Sequence, residues 1–147
     1  MDIDRTAPVI VELSTTIAAP LGTLWPLHTD ITAWPTWHSD ITSARPRGDL
    51  AVGTVFDWQS HGLAISSTIS ELRPQERIVW GGHAHGIDGI HVWTFRPVDG
   101  GVLVSTLESW AGPAVDADPD GMRTALEGSL RAWLAALKQT AEQSTDS

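Results

Sequence analysis

The sequence predicts one α+β domain, in which a tryptophan-rich antiparallel sheet curls around a long C-terminal helix. Three observations predict it. From Thr54 to Trp110 the chain is a run of strand-like segments separated by turn signals. From Asp118 onward, apolar residues recur at helical spacing. Pairing the strand segments through their turns sorts aromatic side chains from polar ones, which leaves one face in need of a cover.

The elements follow in chain order. Val9 to Ala18 alternates Val9, Val11, Leu13 and Ile17 against Glu12, Ser14 and Thr16, as a half-buried strand does. Ala19-Pro20 opens a short helix, and Pro26 is expected to limit it. Asp30 or Thr32 is placed to cap a second short helix holding Trp34, Pro35, Thr36 and Trp37. Ile41 to Arg47 is a weak strand closed by Gly48-Asp49. The turn signals that follow are His61-Gly62, Arg73 to Glu76, Gly86 to Gly89, and Asp99 to Gly101. Asp118 and Pro119 make a good N-cap and first helical residue. Met122, Leu126, Leu130, Trp133 and Leu137 then form one apolar stripe. A helix from Pro119 to about Glu142 is roughly 36 Å long. Gln143 to Ser147 reads as a frayed polar tail. Gly128 lowers the stability of that helix by about 1 kcal/mol relative to alanine, through neutral drift or to allow close packing. No internal repeat or linker divides the chain, so residues 1–147 are read as one domain.

Turn lengths give the strand register. Asp99-Gly100 as a two-residue turn places Phe95 opposite Val104, Trp93 opposite Thr106 and His91 opposite Glu108. Gly86 to Gly89 as a four-residue loop places Trp80 opposite Phe95. Arg73 to Glu76 as a loop places Ile69 opposite Trp80. His61-Gly62 as a turn places Trp58 opposite Ile65 and Phe56 opposite Ser67. One face then carries Phe56, Trp58, Ile65, Ser67, Ile69, Ile78, Trp80, His91, Trp93, Phe95, Val104, Thr106, Glu108 and Trp110. The other is mostly polar, with Val79, Val92, Leu103 and Leu107 as its aliphatic exceptions.

Composition narrows the function. Net charge is -9, and the nine Lys and Arg residues are scattered, which argues against nucleic acid or an anionic membrane as partner. No run approaches membrane-spanning length, and Met1 to Pro8 lacks the apolar core of a signal peptide, so a cytoplasmic protein is expected. With no cysteine, disulfides, thiolate nucleophiles and cysteine-type zinc sites are excluded. Eight Trp stand against two Phe and no Tyr, which suits a heavy core or an indole-lined cavity.

Three polar residues fall on the face to be buried: Ser67, His91 and Glu108. His91 and Glu108, directly opposite, have Cβ atoms about 4.5–5.5 Å apart. A carboxyl beside an imidazole favours charge on both, whereas burial disfavours it, so the pair suits acid–base work near neutral pH. It equally suits a structural hydrogen-bonded pair. Ser67 is placed to orient a ligand or to bond within the core, and no G-x-S-x-G elbow surrounds any serine. His83 and His85 share a strand side but lie on the solvent face, without zinc spacing, and no metal site is expected.

The chain resembles the START/Bet v 1-like (SRPBCC) superfamily, in its polyketide cyclase/dehydrase-like branch. The resemblance rests on Ile17-Ala18-Ala19-Pro20 with Leu24-Trp25, Trp34-Pro35-Thr36-Trp37, Gly53 to Trp58, Pro74 to Trp80, His91 to Phe95, Gly101 to Trp110 and the final helix. It implies a helix-grip fold: a seven-stranded antiparallel sheet, two short helices after strand 1, and a cavity between sheet and last helix. It implies an apolar small-molecule ligand and no cofactor. Aromatase/cyclases of the superfamily are thought to orient polyketides with pocket Arg and Tyr residues; this chain has no Tyr, and no Arg falls on the buried strand set.

The expected ligand is therefore a hydrophobic, ring-containing small molecule. Its candidate wall is Trp58, Trp80, Trp93, Phe56, Ile69 and Thr106 from the sheet, Trp37 from the second short helix, and Leu130 and Trp133 from the final helix. His91, Glu108 and Ser67 are the candidate catalytic residues of a cyclase/dehydrase-like enzyme of secondary metabolism. A non-catalytic carrier is the alternative. A co-chaperone-like interaction module is the third reading, and it requires an exposed apolar patch.

Overall fold

The computed structural model describes the backbone of residues 2–146 and the side chains of residues 2–143. Alternating apolar residues form β1 (Val9–Ile17). Two short helices follow, α1 (Leu21–Thr29) and α2 (Trp34–Trp37), linked by a 3-10 turn over Ile31–Ala33. Six strands come next: β2 (Ile41–Pro46), β3 (Val55–Ser60), β4 (Leu63–Arg73), β5 (Arg77–Ala84), β6 (Ile87–Val98) and β7 (Gly101–Ala111). Helices α3 (Pro113–Ala117) and α4 (Pro119–Asp146) close the chain. The strands form one antiparallel sheet in the order β1-β7-β6-β5-β4-β3-β2. This is the helix-grip fold.

Helix α4 covers the sheet through its apolar stripe. Leu126, Leu130, Trp133 and Leu137 are buried in the same core as Phe56, Ile69, Trp93 and Val104. Asp118 caps the helix, its Oδ1 accepting the Gly121 N–H at 3.1 Å. The tail expected from Gln143 instead continues the helix to Asp146, and Ser147 lies outside the described residues.

Trp133 is the hub of this core. Its ring lies 5.0 Å from that of Trp34, 5.5 Å from Trp93, 5.9 Å from Trp37 and 6.2 Å from Trp58. Most of these contacts are edge-to-face, the arrangement the ring quadrupole favours.

Several local expectations are corrected. Pro26 does not end α1, which runs three residues further to Thr29. A proline ring there forfeits one intrahelical bond, whereas Leu24, Trp25 and His28 are buried by the turns around it. Neither Asp30 nor Thr32 caps α2; Ala33 precedes it and Pro35 occupies its first turn. The Gly86 to Gly89 segment is not a four-residue loop. His85-Gly86 is a two-residue turn with φ of 55° and 78°, and Ala84 pairs with Ile87. Trp80 therefore lies opposite His91, not Phe95, a shift of four residues that keeps the same face. The β4–β5 loop holds three residues, Pro74 to Glu76, since Arg73 pairs with Arg77. A bulge between Ile69 and Glu71 takes up the odd residue and restores Ile69 opposite Trp80.

The outer face is also less open than expected. Val79 and Val92 are buried with Ile3 of the N-terminal segment, which folds back across that face. The Asp4 N–H donates to Ser109 Oγ at 3.0 Å and pins the segment there. An interaction module would lose its apolar patch by this cover.

Trp133→Ala removes the ring on which the helix–sheet contact closes. It is expected to lower stability by about 3–5 kcal/mol in urea denaturation. A loss below about 1 kcal/mol would show that the helix is held elsewhere.

Candidate functional site

A cavity of about 570 Å³ opens between the sheet and the N-terminal half of α4. Its sheet wall carries Trp58, Ile65, Ser67, Trp80, His91, Glu108 and Trp110. Its helix wall carries Met122, Thr124, Ala125, Gly128 and Ser129, all small or flexible. A shallower depression of about 690 Å³ lies around Arg45, Asp57, Gln59, Ser66 and His83, residues of the polar outer face. It holds neither His91 nor Glu108; that candidate pair borders the first.

The register of β6 on β7 brings His91 and Glu108 opposite each other. His91 Nδ1 lies 3.1 Å from Glu108 Oε1. His91 Nε2 lies 2.7 Å from Thr106 Oγ1. Glu108 Oε2 accepts the indole N–H of Trp110 at 2.6 Å, since residues two apart on a strand share a side. Gly89 leaves room beside the carboxyl: a Cβ there would lie 3.6 Å from Glu108 Oε2. Ser67 Oγ accepts the Trp58 indole N–H at 3.1 Å.

Burial sets the charge of the pair. Loss of water pushes the Glu108 carboxyl up to about 7, with the Trp110 N–H pulling it partly back. Loss of water drives the His91 imidazole well below its ordinary value, and the nearby His28 adds to the shift. The neutral pair is thus favoured at neutral pH. In it the Glu108 O–H donates to Nδ1, and Nε2–H donates to Thr106. Loss of one proton from the pair gives the alternative, in which Nδ1–H donates to a carboxylate and the Thr106 O–H donates to Nε2.

The structure brings His91, Glu108, Ser67, Trp58 and Trp80 together on one wall. It places Trp93, Phe56, Ile69, Thr106, Leu130 and Trp133 in the packed core behind that wall, with Trp37 packed against it. Thr106 reaches the site only through His91. Trp110, Met122 and Gly128 line the cavity although the sequence did not single them out for it. Trp110 was legible from the face parity.

His28 was missed. It is fully buried on α1, among the rings of Trp93 at 4.5 Å, Phe95 at 5.2 Å and Trp80 at 6.0 Å. Neither ring nitrogen has a hydrogen-bond partner among the described residues. Burial lowers this imidazole to about 3. Its site carries no helical period, and nothing in the local sequence marks it.

The described residues hold no cluster of three or more His, Asp or Glu side chains fit for a metal ion. No described helix is long and apolar enough to cross a membrane.

Residues 8–142 match the family model described as polyketide cyclase / dehydrase and lipid transport. Similar solved structures include a START superfamily protein from Mycobacterium smegmatis, 14% identical, with a TM-score of 0.77 over 91% of this chain and 97% of that one. The di-domain ARO/CYC StfQ from the steffimycin biosynthetic pathway is 16% identical, with a TM-score of 0.77 over 95% of this chain and 52% of that one. The di-domain ARO/CYC BexL from the BE-7585A biosynthetic pathway is 19% identical, with a TM-score of 0.75 over 93% of this chain and 52% of that one. The chain thus spans about half of each di-domain protein, and at these identities the likeness is one of fold. Among curated proteins, none matches the sequence.

Two outcomes follow from burial and space. A group whose folded value is depressed gives stability that is lost as pH falls. For His28 the window runs from about 6.5 down to about 3, and the loss is on the order of a few kcal/mol. His28→Phe should flatten the fall of urea midpoint with pH across that window; an unchanged slope would assign it to other groups. At Gly128 a Cβ would meet nothing within 4 Å. Gly128→Ala should therefore stabilise the protein by up to about 1 kcal/mol. Gly128→Leu should stay folded by circular dichroism yet bind bulky apolar dyes more weakly, because its side chain enters the cavity; equal dye affinity would contradict that.

Proposed function

The chain belongs to the polyketide cyclase / dehydrase and lipid transport family, and from that premise we propose that it binds a hydrophobic, ring-containing small molecule and exchanges a proton with it. One observation carries the reading: His91 Nδ1 and Glu108 Oε1, 3.1 Å apart, form part of the wall of an indole-lined cavity. Trp58, Trp80 and Trp110 supply apolar area and flat faces for a ring. A Glu108 carboxyl held near 7 is poised to give a proton and recover it at neutral pH. The steps this serves are eliminations of water and ring closures, which need an acid and a base but no redox partner. Ser67, tied to the Trp58 indole, presents its hydroxyl to the same space.

A second reading has its own support. Both ends of the His91 imidazole and both carboxyl oxygens of Glu108 are already bonded within the protein. A pair so satisfied serves a carrier, in which it only completes a polar patch on the wall.

Native mass spectrometry of freshly purified protein, followed by incubation of the recovered molecule with wild type, separates the two. Under the enzyme reading the recovered molecule or its precursor is converted, and His91→Ala binds it without conversion. Lost binding with intact conversion in His91→Ala would overturn that assignment. Under the carrier reading the molecule raises the melting temperature and emerges unchanged.

A further inference from the structure

The charge on the cavity wall is one-sided. Among the described residues, Glu108 is its one acidic side chain, and no lysine or arginine lies on it. Arg123, in the helix that covers the cavity, is turned away: it donates to the carbonyls of Ile10 and Pro8 at 3.0 Å each. Three indoles, Trp58, Trp80 and Trp110, make up the aromatic part of the wall.

Each class of ligand meets this wall differently. A carboxylate or phosphate would lose its water beside Glu108 with no cation to pair with, which is costly. A neutral ring compound gains apolar burial alone. A ring that carries an ammonium group gains burial, the attraction of indole faces for a cation, and a charge-assisted hydrogen bond to a carboxylate. The net charge of -9 also draws cations toward the protein.

We propose that the cavity selects a ring-bearing amine, held as its ammonium form between the Glu108 carboxylate and the indole faces of the wall. This rests on the hydrophobic-ligand reading above and names the chemical class of its ligand. The proton balance is simple. An ammonium that meets the protonated Glu108 breaks its O–H bond; that proton leaves to solvent, and the freed carboxylate accepts an ammonium N–H. The imidazole meanwhile moves its own proton from Nε2 to Nδ1, the Thr106 O–H turns to donate to Nε2, and Nδ1–H donates to Oε1. Around Glu108, β6 presents His91 and Gly89, β1 presents Val11 as the register partner, and β7 presents Trp110. His91 is the titratable group among them. The other titratable wall residues are His61 and His85, both in exposed turns.

The test uses three probes of one ring size: naphthylethylamine, naphthylethanol and naphthylacetate, titrated calorimetrically into wild type and Glu108→Gln. Wild type should bind the amine at least about tenfold more tightly than the alcohol, with the acetate weakest. In Glu108→Gln the ratio of amine to alcohol affinity should fall to about one. Equal binding of amine and alcohol by wild type overturns the inference, as does a preference that survives in Glu108→Gln. Failure of all three probes to bind wild type overturns the hydrophobic-ligand reading itself, and this inference with it. Wild type also gives a readout that needs no variant. At about pH 6, below the Glu108 value of about 7, amine binding should release close to one proton, read from titrations in two buffers of different ionisation enthalpy. The alcohol should release none. No release on amine binding overturns the proposal.

Discussion

The insertion of Trp133 into the aromatic face of the sheet is the contact on which the rest depends. Five indoles and several imidazoles surround that ring, from α1, α2, β3, β5 and β6. They fill the space between sheet and helix along the middle of α4. A helix-grip frame of this kind encloses a single long volume. Here tryptophan occupies one end of it, and the remaining volume lies where α4 turns small residues, Thr124, Ala125, Gly128 and Ser129, toward the sheet. The high Trp content therefore has two roles: most of the rings are core, and Trp58, Trp80 and Trp110 face the cavity.

The same burial that packs the core sets the chemistry at its border. A carboxyl and an imidazole in water would each titrate without reference to the other. Behind Trp80 and beside Trp110 they lose hydration, and the cost of two separated charges favours the neutral pair. Hydrogen bonds from Thr106 and Trp110 fix the orientation of both groups.

Much of this was legible in the sequence, for a physical reason. Side chains alternate faces with a period of two, so any error of an even number of residues leaves the face assignment intact. The β5–β6 turn was placed two residues late, and the face survived. An odd β4–β5 loop would have inverted every residue on β3 and β4, but a bulge beside Ser70 took up the difference. What was lost was the identity of neighbours. Trp80 was set against Phe95, whereas it lies against His91, its ring 5.0 Å away, and so belongs to the site and not merely to the core. The glycines misled: Gly86 is a turn residue, but Gly89, read as the end of a loop, is a strand residue paired with Gly82. Face parity also cannot tell a wall from the packing behind it. Trp93 and Trp58 share a face, yet one is enclosed by core rings and the other meets the cavity. His28 and Ile3 were illegible for a different reason, since each sits in a short segment whose burial is decided by partners far along the chain.

Three local rules are broken in this protein, and they are broken close together. Gly128 sits inside a helix at a cost of about 1 kcal/mol relative to alanine. Glu108 buries a carboxyl, and His28 buries an imidazole with no hydrogen-bond partner on either nitrogen among the described residues. Any one of them alone reads as drift. Gly128 borders the cavity from the helix, Glu108 borders it from the sheet, and His28 stands behind its Trp80 wall, near enough to bias His91. Sequences that specify a fold keep local and global preferences consistent, and the exceptions concentrate where a site has been kept. The same residues that weaken the fold supply the volume and the acid–base groups that the proposed site would use. A core packed only for stability would place alanine at 128 and apolar residues at 28 and 108.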